Sequence, residues 1–276
     1  MPELAIDHLT ALDLPPAAFH RAAARAGFSS VSLRTIHITG GEPGWAGERL
    51  DTAAFARAIA GSGVRVHAIE AVAITPTLTS ELDALVPLLE EGAEVGARLL
   101  YSFSDDPDAD RCADTLAALA ETAAPFGLRT VIEPMPYRAV ATLAQASEIV
   151  ARVPGAGLIV DTLHATRGGT TPAELATLPA EQLAVLQLCD APAEAPTAQP
   201  ASGLHPLLNE ARFERRLPGA GELPLADFAG AMPSGSLVTI EAPARDTGAD
   251  AEQRLRAAHR AALAALGTPH LDGGAA

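Results

Sequence analysis

Residues 131–136 read VIEPMP. Val131 and Ile132 are the β-branched residues that a central strand prefers. Glu133 stands where the apolar run stops, and Pro134 and Pro136 prevent regular pairing beyond it. The stretch is a short buried strand that ends on an acid, and the same design recurs on both sides of it. Upstream, strands are predicted at 4–9 (LAIDHL), 30–38 (SVSLRTIHI), 64–72 (VRVHAIEAV) and 98–104 (RLLYSFS). The central strand itself runs over 129–134 (RTVIEP), and three more follow at 157–164 (GLIVDTLH), 184–191 (AVLQLCDA) and 236–242 (SLVTIEA).

Between these runs lie Ala/Leu-rich segments with helical spacing. PAAFHRAAARAG ends on Gly27, a helix-stop signal, and DTAAFARAIAGSG opens on an Asp cap. SELDALVPLLEEGAEVG repeats the pattern with Ser80 as the expected N-cap. Strand–helix alternation repeated eight times specifies a parallel sheet, and a chain of 276 residues fits one (β/α)8 TIM barrel spanning 1–276. The rival is an open doubly wound sheet, but the first βα turn, DHLTALDLPPAAF, carries no Gly-x-Gly-x-x-Gly fingerprint. No linker divides the chain. The Ala/Pro stretch at 191–203 reads as a long loop after the seventh strand.

Composition narrows the function. Hydrophobic residues make up 48% and charged residues 19%, enough for a sizeable core. The net charge of −15 argues against nucleic acid and against anionic membrane surfaces. Two cysteines, Cys112 and Cys189, are too few for a disulfide framework and lack zinc-site spacing. The N-terminus shows neither a basic n-region nor a long apolar h-region, and no apolar stretch is long enough to cross a bilayer, so a cytoplasmic protein is expected. The expected partner is a small-molecule substrate, and a homodimer is compatible with the fold.

Polar residues close the last four strands. Glu133 ends the fifth, Asp161 follows LIV on the sixth, Gln187 sits inside AVLQLCD on the seventh, and Glu241 follows LVTI on the eighth. In a barrel these positions converge at the C-terminal mouth, where such folds keep their chemistry. Three carboxylates and an amide oxygen cannot share a dry mouth without a counter-charge. A divalent cation supplies it. An all-oxygen set suits Mn²⁺ or Mg²⁺, with Co²⁺ or Zn²⁺ as substitutes. Each carboxylate taken alone reads more often as a helix cap or a loop hydrogen-bond partner, and Gln187 alone as a core amide. It is the coincidence on four successive strands that points to a metal site. His164, three residues after Asp161, can reach the same mouth. His67 and Glu70 on the third strand are weaker candidates, and the remaining histidines read as surface or structural. A second unusual stretch is RRLPGAGELPL, 215–225. Gly219 and Gly221 allow a close approach of backbone to a ligand, and an Arg beside them can hold an anionic or hydroxyl group at two points.

VIEPMP, LIVDTLHATRGG, LQLCDAP, RRLPGAGELPL and VTIEAP together resemble the xylose-isomerase-like TIM-barrel superfamily of sugar-phosphate isomerases and epimerases, over nearly the whole chain. The resemblance implies metal ligands at Glu133, Asp161, Gln187 and Glu241, a substrate-contacting His164, and a substrate-binding Arg215, three residues before the Pro-Gly turn. Many ketose epimerases of the superfamily have His where Gln187 stands. Gln there is similar to the 3-dehydroshikimate dehydratases. Two reactions follow as expectations: isomerisation or epimerisation of a small polyhydroxylated carbonyl compound, with Glu133 and Glu241 moving the proton, and a dehydration that shares the first step. A carboxylated ring substrate calls for basic residues in the mouth, with Arg34, Arg167 and Arg215 as candidates and His67 beside them. An inactive binding barrel is the third reading.

Overall fold

Eight parallel strands form, each hydrogen-bonded to the next: β1 Leu4–Ile6, β2 Ser30–Leu33, β3 Arg65–Ile74, β4 Leu99–Ser104, β5 Arg129–Ile132, β6 Gly157–Asp161, β7 Leu183–Leu188 and β8 Leu237–Ile240. β8 pairs back onto β1 through Leu4↔Val238 and Ile6↔Ile240, which closes the barrel. The computed structural model describes residues 3–36, 49–243 and 250–267. The end of the predicted second strand, His37 and Ile38, and also His270, lie outside the described residues.

The connecting helices follow local rules. α1, Pro16–Ala26, stops at Gly27, whose φ of 100° is the left-handed cap that glycine adopts freely. α2, Thr52–Ile59, is capped by Asp51, which accepts the Ala54 N–H at 2.8 Å. α3, Leu82–Glu94, corrects one expectation: Ser80 is not its N-cap. Ser80 belongs to a short 3-10 turn, Leu78–Ser80, and its hydroxyl donates back to Thr77 O at 2.7 Å. α4 spans Ala109–Ala123, and α5, Leu143–Val150, starts on a Thr142/Gln145 capping box. α6, Thr162–Arg167, follows β6 without a gap, and α7 is one turn, Pro172–Leu175. The loop expected at 191–203 leads into α8, Pro206–Phe213, a helix that lies just beyond it and that no sequence signal announced. α9, Leu225–Ala231, and α10, Ala251–Ala265, complete the ring. Among the described residues, no helix is long and apolar enough to cross a membrane.

Most of the core lies between strands and helices, around Phe19, Leu33, Leu89, Leu116 and Phe228. A second, smaller cluster joins Tyr101, Phe103, Val131, Ile159 and Val185. These residues come from neighbouring strands, so they fill the barrel interior. Side chains alternate along a strand with period two. Val131, Ile159 and Val185 face inward, so Glu133, Asp161 and Gln187, two residues on, face inward at the next layer up. The same step places Asp7 above Ala5 on β1. Register sets Asp161 level with Gln187, and Gln187 level with Thr239. Packed apolar side chains below thus carry a buried polar layer above.

His8, just past β1, is fully buried, stacked on Phe19 at a centroid distance of 4.3 Å. Its Nδ1 accepts the Arg34 N–H at 3.2 Å, which leaves Nε2–H to donate to Leu14 O at 2.9 Å. Both ring nitrogens are thereby used by the neutral form. Burial, only partly opposed by the bond to Leu14, lowers its pKa to about 3. The unfolded chain takes up a proton below about pH 6.5 that the folded chain refuses, so stability falls with pH from about 6.5 towards 3, at about 1.4 kcal/mol per pH unit for this one group. His8→Gln is expected to be less stable than wild type at pH 7 but to lose less on going to pH 5. Urea midpoints at both pH values check this, and parallel losses in the two proteins would exclude the imidazole as the cause.

Candidate metal centre and active-site cleft

Local structure presents each strand-end residue to one mouth. Glu133 follows β5 directly, and its N–H donates to Ser102 O on β4 at 2.8 Å. Asp161 does two jobs. It ends β6 and caps α6, its Oδ1 accepting the His164 N–H at 2.8 Å. The cap explains why β6 stops there instead of at residue 164, and it places His164 one helical turn from Asp161 over the mouth. Glu241 continues β8, its N–H bonded to Leu188 O at 3.1 Å. Glu133, Asp161, Gln187 and Glu241 are all buried. One ligand atom from each of Glu133, Asp161 and His164 lies within 4.8 Å of the others. This compact group contains His164, expected as a substrate contact, and not Glu241, expected as a ligand.

The main departure from expectation is Arg215. Expected as a substrate grip on a loop, its side chain is 1% exposed. Nη1 lies 2.5 Å from Asp161 Oδ2, Nη2 lies 3.1 Å from Glu241 Oε2, and Nη1 also donates to Glu241 O at 3.0 Å. The counter-charge that the acid cluster demands is thus supplied in part by the chain itself. The Pro-Gly loop positions this arginine. Arg216 forms a two-way backbone bridge with Asp190, at 2.7 and 2.9 Å. The Asp190 carboxylate accepts N–H bonds from Gly219 and Leu223. A Cβ on Gly221 would meet Asp190 Oδ1 at 2.2 Å and Ala191 O at 2.4 Å. Gly221 therefore serves a close approach of backbone to the 190–191 segment, and Gly219 turns the loop in the left-handed region at φ 82°.

These contacts set the electrostatics. Burial, reinforced by Glu241 and Asp161, pushes Glu133 well above the usual carboxylate range. Burial likewise raises Glu241 to about 8, against the pull of Arg215. At Asp161 burial acts upward, but Arg215, His164 and the hydrogen bonds together outweigh it and hold the carboxyl below its ordinary value. Burial lowers His164 to about 4, so its imidazole is neutral near pH 7. His164 Nε2 lies 3.6 Å from Glu133 Oε1, 3.3 Å from Arg215 Nη2 and 3.4 Å from the Tyr137 hydroxyl.

Above the acids is a cleft lined among others by Arg34, Glu70, Tyr137, Arg138, His164 and Arg215. Arg34 stands on the cleft wall 3.3 Å from Glu70 Oε2. His67, expected at the substrate, is not among the lining residues: its ring is held below, by Asp7 at 3.1 Å and Ser30 at 3.1 Å. Arg167, expected in the mouth, is also elsewhere, paired with Glu210 at 2.7 Å between α6 and α8. Tyr137, Arg138 and Asp7 were missed. Tyr137 and Arg138 follow the exit prolines in EPMPYR and carry no signal of their own. Asp7 ends LAID as Asp161 ends LIVD, so the rule applied to the last four strands would have found it on the first.

A divalent cation fits this donor set. Among the described residues, the buried side-chain oxygens without a hydrogen-bond partner include Glu133 Oε1 and Gln187 Oε1, both on residues of the candidate ligand set. Such groups are costly to leave unpaired. Arg215→Ala is expected to lower the thermal midpoint sharply in chelator, by roughly 3–5 kcal/mol of stability, because two buried carboxylates lose their cation. Added Mn²⁺ should restore more of the loss than it adds to wild type. Melting curves with and without Mn²⁺ test this, and equal Mn²⁺ shifts in both proteins would separate Arg215 from the cation site.

The chain matches the xylose isomerase-like TIM barrel family over residues 20–265. It is 37% identical over 119 residues to a 3-dehydroshikimate dehydratase of Pseudomonas aeruginosa; the match covers 42% of this chain and 17% of the length of that protein. Among solved structures, IolI with a bound zinc atom superposes with a TM-score of 0.78 at 17% identity, covering 96% of this chain and 98% of that one. A D-psicose 3-epimerase from Clostridium cellulolyticum H10 superposes at 0.71 with 13% identity, over 96% and 98% of the two chains. At these identities the structural neighbours speak for the fold alone. With the family match extending over most of the barrel, the chain belongs to the xylose isomerase-like TIM-barrel family.

Proposed function

We propose that this protein is a divalent-cation-dependent enzyme that removes and returns a proton beside the carbonyl of a small polyhydroxylated compound, a sugar or sugar phosphate, and so isomerises or epimerises it. The observation that carries the reading is the pair of unpartnered buried oxygens, Glu133 Oε1 and Gln187 Oε1, next to Asp161 and Glu241. Glu133, Asp161, Gln187 and Glu241 would hold the cation, with Mn²⁺ or Mg²⁺ favoured by the oxygen donors and Co²⁺ or Zn²⁺ as substitutes. When bound, it supplies a Lewis acid that lowers the cost of charge developing on the substrate's carbonyl oxygen.

The chain's own groups do the rest. Glu133 and Glu241 both line the cleft, so one carboxylate can take the proton and the other can return it. Neutral His164 hydrogen-bonds a substrate oxygen. Arg34, on the cleft wall, orients the hydroxyls, Arg215 holds Asp161 and Glu241 in place from within, and Tyr137 packs edge-on against the His164 ring at 5.4 Å, holding it in place.

A second reading is dehydration, in which loss of a β-hydroxyl follows the same proton removal. The dehydratase relative and an arginine-rich lining (Arg34, Arg138 and Arg212) favour it, since those cations suit a carboxylated substrate.

The test is incubation of Mg²⁺-loaded protein in D₂O with a panel of ketoses and 3-dehydroshikimate. Deuterium at the carbon beside the carbonyl, read by NMR, supports the shared first step. An epimer or an aromatic product then chooses between the reactions. No incorporation from any member by the metal-loaded protein would leave a binding barrel. Glu133→Gln should keep the fold and lose roughly 10²- to 10⁴-fold in kcat; an unchanged kcat with full metal content would remove Glu133 from the chemistry.

A further inference from the structure

Gln187 is fully buried on β7, level with Asp161 of β6. Its Nε2 donates to Asp7 Oδ2 at 2.9 Å, across 180 residues of sequence. Its Oε1 has no partner among the described residues. Asp7 is itself fully buried. Its other oxygen, Oδ1, lies 3.1 Å from His67 Nε2, and His67 Nδ1 lies 3.1 Å from Ser30 Oγ. Ser30, His67, Asp7 and Gln187 therefore form one chain of contacts across the barrel interior.

A carboxamide is nearly symmetric in shape and can turn over, offering either oxygen or nitrogen to a given point. A hard cation requires the oxygen. A carboxylate oxygen only accepts hydrogen bonds, so its neighbour must present N–H to it. We propose that Asp7 is a positioning residue for the cation site: steadied by His67, it holds the Gln187 amide with nitrogen turned away and oxygen offered as a ligand. This inference rests on the reading of Gln187 as a ligand. It is the amide counterpart of the carboxylates that orient metal-bound histidines from behind. His67, expected at the substrate, would act here through Asp7.

The experiment is Mn²⁺ titration of the apoprotein by calorimetry, for wild type, Asp7→Ala, Gln187→Leu and the double variant. Asp7→Ala should weaken binding about 10- to 100-fold when Gln187 is present. In the Gln187→Leu background the same change should matter less than about twofold, because there is no amide left to orient. Asp7 is also a negative charge near the site. If it acted by charge alone, it would cost the same factor in both backgrounds, and that result overturns the proposal. A wild type that binds no Mn²⁺ at all overturns the cation reading itself, a distinct outcome. Should Asp7→Ala not fold, His67→Ala replaces it in the same cycle, with a smaller loss expected that again disappears beside Gln187→Leu. A separate signature is the Gln187 side-chain ¹⁵N–¹H₂ resonance of the apoprotein, which should move upon Asp7→Ala; an unmoved resonance would show that Asp7 does not hold the amide.

Discussion

The guanidinium of Arg215, buried between Asp161 and Glu241, is the contact on which the mouth of this barrel depends. Charges taken out of water are expensive, and the attraction between them offsets that only when geometry is good and the remaining donors are satisfied. Here Nη1 and Nη2 each find a carboxylate, and Nε donates to Ala211 O at 2.7 Å. The arginine can stand there only because its loop is tied down. The bridge to Asp190, the carboxylate of Asp190 under the loop and the bare Cα of Gly221 form one device, and its product is the position of one side chain.

The same cation sharpens the chemistry of the mouth. It holds Asp161 ionised while burial raises Glu133 and Glu241, so one cluster contains carboxyls of very different acidity. His164 is kept neutral by burial and stays in contact with both Arg215 and Glu133. Environments that push titratable groups apart in this way are what acid–base chemistry uses. Cys189, 3.4 Å from Arg215, takes no part as a nucleophile: burial pushes its thiol up to about 12.

Below the mouth, the barrel interior changes character in one layer. Val131, Ile159 and Val185 form a dry plug. Immediately above them, Asp7, His67 and Gln187 satisfy one another, and Glu70 is met by Ser32 and Arg34. A buried polar layer of this kind is costly wherever it is incomplete. Within this layer, among the described residues, Gln187 Oε1 and Glu133 Oε1 are left without a hydrogen-bond partner.

The sequence alone determined the eight strands, most helices and the four polar strand ends. Those features come from local rules: β-branched runs, caps such as Asp51 and Thr142, the Gly27 stop, and an acid at the close of an apolar run. Period two also made the inward direction of Glu133, Asp161 and Gln187 legible, since an even step along a strand keeps the face. Local pattern failed at Ser80, where a 3-10 turn precedes the helix, and at α8, which follows the long loop and carries no signal of its own. What only the tertiary structure decided is which side chain answers which. Arg215 was legible as an arginine near a Pro-Gly turn, but its partners lie 54 and 26 residues away on two different strands. His67 turned inward to Asp7 instead of upward to the cleft, and Arg167 turned to Glu210. Each of these pairings joins groups from different elements: His67 on β3 meets Asp7 beyond β1, Arg167 on α6 meets Glu210 on α8, and Arg215 spans the ends of β6 and β8. No local spacing encodes these meetings, because the groups come together only once the strands have paired in register and the helices and loops have packed around them.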